Sequence, residues 1–143
     1  MNIQHWKSLE DYHTFKFAIK SKYFLEINTI EDIIEAQSSL KLIADNIPIL
    51  PLGGGSNIIF KDDYKGCVFK INLRGIHLIE ENKHTVVLKI GAGEIWHNLV
   101  EYAVKNNWGG IENLALIPGS VGSAPIQNIG AYGVELKDTL LKV

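Results

Sequence analysis

The sequence predicts an α+β fold made of two successive units. Three observations carry this. Short runs rich in Ile, Val, Phe and Tyr recur along the whole chain at strand length. Helical apolar spacing is confined to the stretches 29–45 and 94–107. The pattern of strands and helix starts again after Gly75, which divides the chain into 1–75 and 76–143.

Residues 1–14 read as an N-terminal tail. KYFLEI (22–27) reads as a short strand. Thr29 then caps a helix, TIEDIIEAQSSLKLIAD (29–45). Asp32 stands three residues after the cap, and Glu31, Asp32 and Glu35 suit the positive end of a helix. Ile30, Ile33, Ile34, Ile43 and Ala44 form its expected apolar side. IPILPL (47–52) reads as a buried strand, GGGSN (53–57) as a glycine loop and IIF (58–60) as a further strand. KDDYKG makes a charged turn, and CVFKINL (67–73) closes the first unit. In the second unit, IHLIEE and TVVLKI form a hairpin about NKH. GAGE (91–94) breaks the strand, with Glu94 capping or starting the next helix. That helix, EIWHNLVEYAVKNN, carries Ile95, Leu99, Tyr102 and Ala103 on one face. Pattern then fades until VELKDTLLKV, whose final TLLKV reads as a strand cut short.

Bulk properties narrow the function. The 143 residues are 46% hydrophobic and 21% charged, enough for an ordinary globular core. A net charge of -2 lacks the basic footprint of phosphate-backbone binding, so nucleic acid is not an expected partner. The single cysteine, Cys67, forms no intrachain disulfide and reads as a small core residue. The N-terminus lacks a signal-peptide apolar core. The uncharged stretch 116–133 contains Gly, Pro, Gln and Asn, which disfavour a membrane span. A cytoplasmic protein without a membrane partner is expected. The histidines show no ligand spacing, so no metal is expected; His97 reads as an ordinary half-exposed helix residue.

The glycine loop LGGGSN has neither the Rossmann fingerprint nor the Gly-Lys-Ser/Thr of a Walker loop. Three consecutive glycines still let backbone amides converge with no Cβ in the way, and such a nest suits a phosphate or pyrophosphate. Ser56 and Asn57 add side-chain donors. A plain tight turn between strands is the alternative. The second candidate is LIPGSVGSAPIQNIGAYG (116–133), which contains no Asp, Glu, Lys or Arg. Its many apolar residues argue for order rather than disorder. Pro118 and Pro125 stiffen it, its glycines allow close approach, and Gln127 and Asn128 can read polar edges. It suits a flat heteroaromatic ring such as a flavin, or else serves as a structural loop packed on the sheet.

LPLGGGSNIIF, IGAGEIWHNLVEYA and above all GIENLALIPGSVGSAPIQNIGAYGVEL closely resemble the bacterial UDP-N-acetylenolpyruvoylglucosamine reductases, also called UDP-N-acetylmuramate dehydrogenases. These are NADPH-dependent flavoenzymes of peptidoglycan precursor synthesis. The likeness runs from about His13 to the last residue. It implies the FAD-binding fold of the vanillyl-alcohol-oxidase (PCMH) type, with 1–75 as its first subdomain and 76–143 as the beginning of its second. It implies that Gly53, Gly54, Gly55, Ser56 and Asn57 hold the FAD pyrophosphate. It places Ile117, Pro118, Gly119, Ser120, Gly122, Ser123, Ile126, Asn128, Gly130 and Ala131 along the flavin. Gln127 and Tyr132 match positions facing the nucleotide-sugar substrate.

The chain departs from the family in two places. It has His13-Thr14-Phe15 where relatives usually read Asn-Thr-Phe. The family's catalytic arginine, proton-donating serine and catalytic glutamate lie beyond Val143, as does the substrate domain, so no catalytic residue is assigned. The expectation is the N-terminal, FAD-binding part of such a reductase, inactive by itself. A stand-alone FAD or nucleotide module and a half-enzyme completed by a separate chain are the alternatives. A truncated sheet edge would favour self-association.

Overall fold

The computed structural model describes residues 2–43 and 46–143; Met1, and Ala44 and Asp45 of the expected first helix, lie outside them. The chain divides into two units, Met1–Leu73 and Arg74–Val143. The fold class is α+β.

The first unit is built on β1 (Gln4–Ser8), β2 (Lys20–Ile27), β3 (Ile49–Leu52) and β4 (Tyr64–Ile71), in the sheet order β1-β2-β4-β3. β1 runs antiparallel to β2, while β2 and β3 are both parallel to β4. The central strands β2 and β4 read as near-continuous apolar runs because both their faces are covered. Side chains alternate between the faces. Tyr23, Leu25, Ile27, Cys67 and Phe69 pack with Ala36 and Leu40 of α1 (Ile30–Ile43). Phe24 and Val68 pack on the other face with Leu9, Leu52 and Phe60. Burial pushes the Cys67 thiol up to about 12, so it serves as core and not as a nucleophile.

The α1 start follows the sequence. The Asp32 N–H donates to Thr29 Oγ1 at 3.1 Å, and the Asp32 carboxylate accepts from the N–H groups of Asn28 and Thr29 at 2.7 and 2.9 Å. This is a reciprocal capping arrangement. Thr29→Ala is expected to cost about 1 kcal/mol in urea unfolding. The amides, Asn28 first, hold the Asp32 carboxyl below its ordinary 3.8. A lowered folded pKa gives stability that is complete above the ordinary value and is lost as pH falls through the folded one.

Five expectations for this unit are corrected. Residues 1–14 are not simply a tail: Gln4–Ser8 form β1, paired with β2, and Leu9 is fully buried in the core. The covered stripe of α1 is Ile33, Ala36 and Leu40, whereas Ile30 and Ile34 are exposed. The sheet selects one of two overlapping apolar stripes. β3 is not a buried strand: among the described residues it pairs with β4 alone, and it exposes Ile49. That edge position tolerates Pro51. Residues 58–60 form no strand; they run irregularly, with Phe60 turned into the core. Finally, Tyr64, Lys65 and Gly66, expected in a turn, already belong to β4.

The second unit opens with the hairpin β5 (Ile76–Glu81) and β6 (Val86–Ile90), as the sequence predicts. α2 (Trp96–Lys105) follows. Its buried face is Trp96, Leu99, Val100 and Ala103, while Ile95 and Tyr102 are substantially exposed, a rotation from the expected stripe. Ile76, Leu88 and Ile90 of the hairpin pack on the same core as α2, joined by Leu114, Ala124, Ile129 and Leu136. The short helix α3 (Ala124–Gln127) and the two-residue strands β7 (Gly130–Ala131) and β8 (Val134–Glu135) follow. TLLKV is not a strand; residues 140–143 take no regular structure, and Leu141 and Val143 are exposed. A strand needs a partner for its main-chain groups, and the described residues offer none.

Candidate functional site

The glycine loop leaves the C-terminal end of β3, the end of a parallel strand at which α/β sheets bind ligands. Its glycines play different parts. Gly55 is buried with φ +67, and a Cβ there would stand 2.0 Å from the Tyr12 carbonyl oxygen and 2.8 Å from the His13 Cα. The Gly55 carbonyl accepts from the Thr14 N–H at 3.2 Å. The turn reading therefore accounts for Gly55 by itself. Gly54 is exposed and has no left-handed backbone. Ser56 is half-buried and Asn57 exposed. Among the described residues, the N–H groups of Gly54, Gly55, Ser56 and Asn57 reach no main-chain carbonyl. Free donors on a loop with an open glycine suit an anionic oxygen. A residue that the sequence reading passed over joins them: the Lys70 ammonium, on β4 beside Leu52, donates to the Gly53 carbonyl at 2.5 Å. That pairing turns one loop carbonyl toward a cation.

His13 carries the neighbouring segment. It is buried, with Nε2 3.3 Å from the Phe17 carbonyl and Nδ1 without a hydrogen-bond partner among the described residues. Its ring packs edge-on against Phe60.

The uncharged stretch 116–133 is ordered by hydrogen bonds to the segment around Gly93. The Val121 N–H donates to the Glu94 carbonyl, the Gly122 N–H to the Ala92 carbonyl, and the Trp96 N–H to the Gly119 carbonyl, at 2.8, 2.8 and 3.1 Å. GAGE is thus one side of a close backbone pairing. A Cβ on Gly122 would stand 2.6 Å from the Ala92 Cβ, so the small residues face each other. Glu94 does not cap α2, as the sequence suggests. Its carboxylate accepts from the Gly75 N–H at 2.7 Å and lies 3.5 Å from Arg74.

Several expected site side chains are engaged inside the loop. Ser120 is buried, and its N–H donates to Ser123 Oγ at 3.1 Å. The Ser123 hydroxyl donates to the Ser120 carbonyl, and Gln127 Nε2 donates to Ser123 Oγ at 3.0 Å. Ile117, Gly119, Gly122 and Ala131 are half-buried. Pro118, Ile126, Asn128, Gly130 and Tyr132 are exposed, as is Leu116. The loop therefore presents apolar side chains and open main chain, while its hydroxyls brace it from within.

Backbone strain concentrates here. Leu116, Asn128 and Tyr132 have φ of 62, 49 and 53. A left-handed non-glycine residue costs of order 1–2 kcal/mol. Tyr132 and Gly133 are the two central residues between β7 and β8, both with positive φ, as a type I′ turn demands. Asn-Gly is the usual choice, but this chain places a tyrosine there, 90% exposed. Beside this hairpin lies a cleft of about 570 Å³ lined by Asn128, Gly130, Ala131, Gly133 and Val134 together with Glu135, Lys137 and Asp138. The three charged residues escaped the sequence reading because they sit beyond the uncharged motif. Lys137 pairs with Glu135, which holds its ammonium above the ordinary Lys value.

Comparison with known proteins bears on both loops. The model of the FAD binding domain matches residues 22–143. A UDP-N-acetylenolpyruvoylglucosamine reductase of Chromobacterium violaceum is 44% identical over 135 residues, covering 94% of this chain and 39% of that protein. One from Flavobacterium johnsoniae is 41% identical over 99% of this chain and 41% of its own length. The chain thus spans about two fifths of the curated relatives it matches. Among solved structures, a UDP-N-acetylenolpyruvylglucosamine reductase of Thermus caldophilus superposes with a TM-score of 0.69 at 25% identity, over 94% of this chain and 45% of that one.

Proposed function

This chain belongs to the FAD binding domain family, and we propose that it is the flavin-holding part of an NADPH-dependent UDP-N-acetylenolpyruvoylglucosamine reductase acting in the cytoplasm on a nucleotide-sugar of peptidoglycan synthesis. The observation that carries this reading is likeness to named reductases over 94% or more of the chain, both loops included.

In this proposal FAD, when bound, supplies the hydride chemistry. The chain's own groups bind and orient. The N–H groups of Gly54, Gly55, Ser56 and Asn57 hold the diphosphate, each charge-assisted bond contributing about 1.5–3 kcal/mol. Leu116, Ile117, Pro118 and Ile126 exclude water from the ring, and the open backbone of Gly119 and Gly130 lets it approach. Ser120, Ser123 and Asn128 shape that surface. Tyr132 and Gln127 serve the substrate side, Gln127 from a side chain already fixed by Ser123. The residues present fit the group: free amides meet phosphate, and an uncharged strained loop meets the ring.

The test is an absorbance spectrum of the purified chain with and without added FAD. Flavin is expected to co-purify or to be taken up at one equivalent per chain. A colourless protein that leaves added FAD free in solution would remove the reading.

A further inference from the structure

His97 lies on α2, where the sequence marks it as unremarkable. Its two ring nitrogens are both engaged. Nδ1 accepts from the Leu116 N–H at 3.3 Å, and Nε2 lies 3.4 Å from Glu101 Oε1. An imidazole that accepts at Nδ1 carries its proton on Nε2, the nitrogen that faces the carboxylate. Glu101 is held in turn by Lys105 at 2.9 Å, one helical turn further on. A cation, a carboxylate and an imidazole therefore form a line along α2 that ends on a backbone amide. That amide belongs to Leu116, the first residue of the uncharged loop, exposed and held at φ +62.

We infer that His97 is a positioning residue for the uncharged loop: its Nδ1 pins the left-handed turn at Leu116 and so fixes the surface offered to the flavin ring. The link to flavin rests on the proposed function; the pinning itself does not.

The experiment compares the chain with its His97→Asn, His97→Gln and His97→Leu variants. Asn keeps an acceptor near the place of Nδ1, Gln keeps a donor near the place of Nε2, and Leu keeps neither. Amide exchange at Leu116 is read without flavin, and FAD affinity is read separately. The expected result is Leu116 protection in the wild type and His97→Asn, and about tenfold loss in His97→Gln and His97→Leu. FAD binding is expected to weaken about five- to tenfold in His97→Leu and within twofold in His97→Asn. Equal Leu116 protection in all four proteins would overturn the inference. A wild type that refuses FAD while Leu116 still follows the series would sink the cofactor reading and leave the pinning in place.

Discussion

Gly55→Val is expected to cost the first unit about 3–5 kcal/mol, lowering its melting temperature by at least about 12 °C. Two causes add. A β-branched residue is poorly accommodated at φ +67. Its Cβ would also fall 2.0 Å from the Tyr12 carbonyl oxygen and 2.8 Å from the His13 Cα. Both are main chain, so no side chain can swing aside. Thermal unfolding followed by circular dichroism measures the loss. Gly54→Val is the informative partner. Gly54 is exposed and has no left-handed backbone, so its stability loss is expected to stay near about 1 kcal/mol. FAD affinity should nonetheless drop at least about tenfold, since a branched side chain would crowd the phosphate oxygens above the loop amides. If Gly54→Val lost fold and binding in equal measure, the loop would be a turn and nothing more.

Trp96→Ala is expected to destabilise the second unit by about 3–5 kcal/mol. Trp96 is 3% exposed at the centre of that unit's core. Its indole N–H donates to the Leu114 carbonyl at 2.8 Å, and its own N–H holds the Gly119 carbonyl. Truncation would open a cavity and orphan a buried acceptor two residues before Leu116. Trp96→Phe, which keeps most of the volume, is expected to lose about 1–2 kcal/mol. Urea unfolding of both variants separates packing from hydrogen bonding. A Trp96→Ala loss below about 1 kcal/mol would mean that this indole is not what anchors the loop.

The elements legible in the sequence were those in which local and tertiary preferences agree. Thr29 and Asp32 announced the start of α1 through groups three residues apart. The β5–β6 hairpin was legible from the composition of two strand-like runs about a polar turn. The misreadings fall where several local answers compete. α1 carries isoleucines on more than one side, and periodicity alone cannot say which stripe the sheet will cover. IIF has strand composition, yet it pairs with no strand among the described residues and instead turns Phe60 into the core. GAGE ends β6 as read, but the helix cap expected of Glu94 fails, because the loop's hydrogen-bond partners, Val121 and Gly122, lie a helix and a long loop away in sequence. Lys70 and Glu135 carried no motif at all; what marks them is a carbonyl and a cleft that the folded chain brings beside them.

The sequence by itself determined the α+β class, the two glycine-rich segments and the family, because these rest on residue chemistry and order along the chain. Tertiary structure decided which glycine the turn requires, which hydroxyls brace the loop, and which imidazole nitrogen meets Leu116. The first and last of these depend on distances between residues remote in sequence, Gly55 with Tyr12 and His97 with Leu116; the hydroxyls act across three or four residues, and the folded loop selects which of them pair.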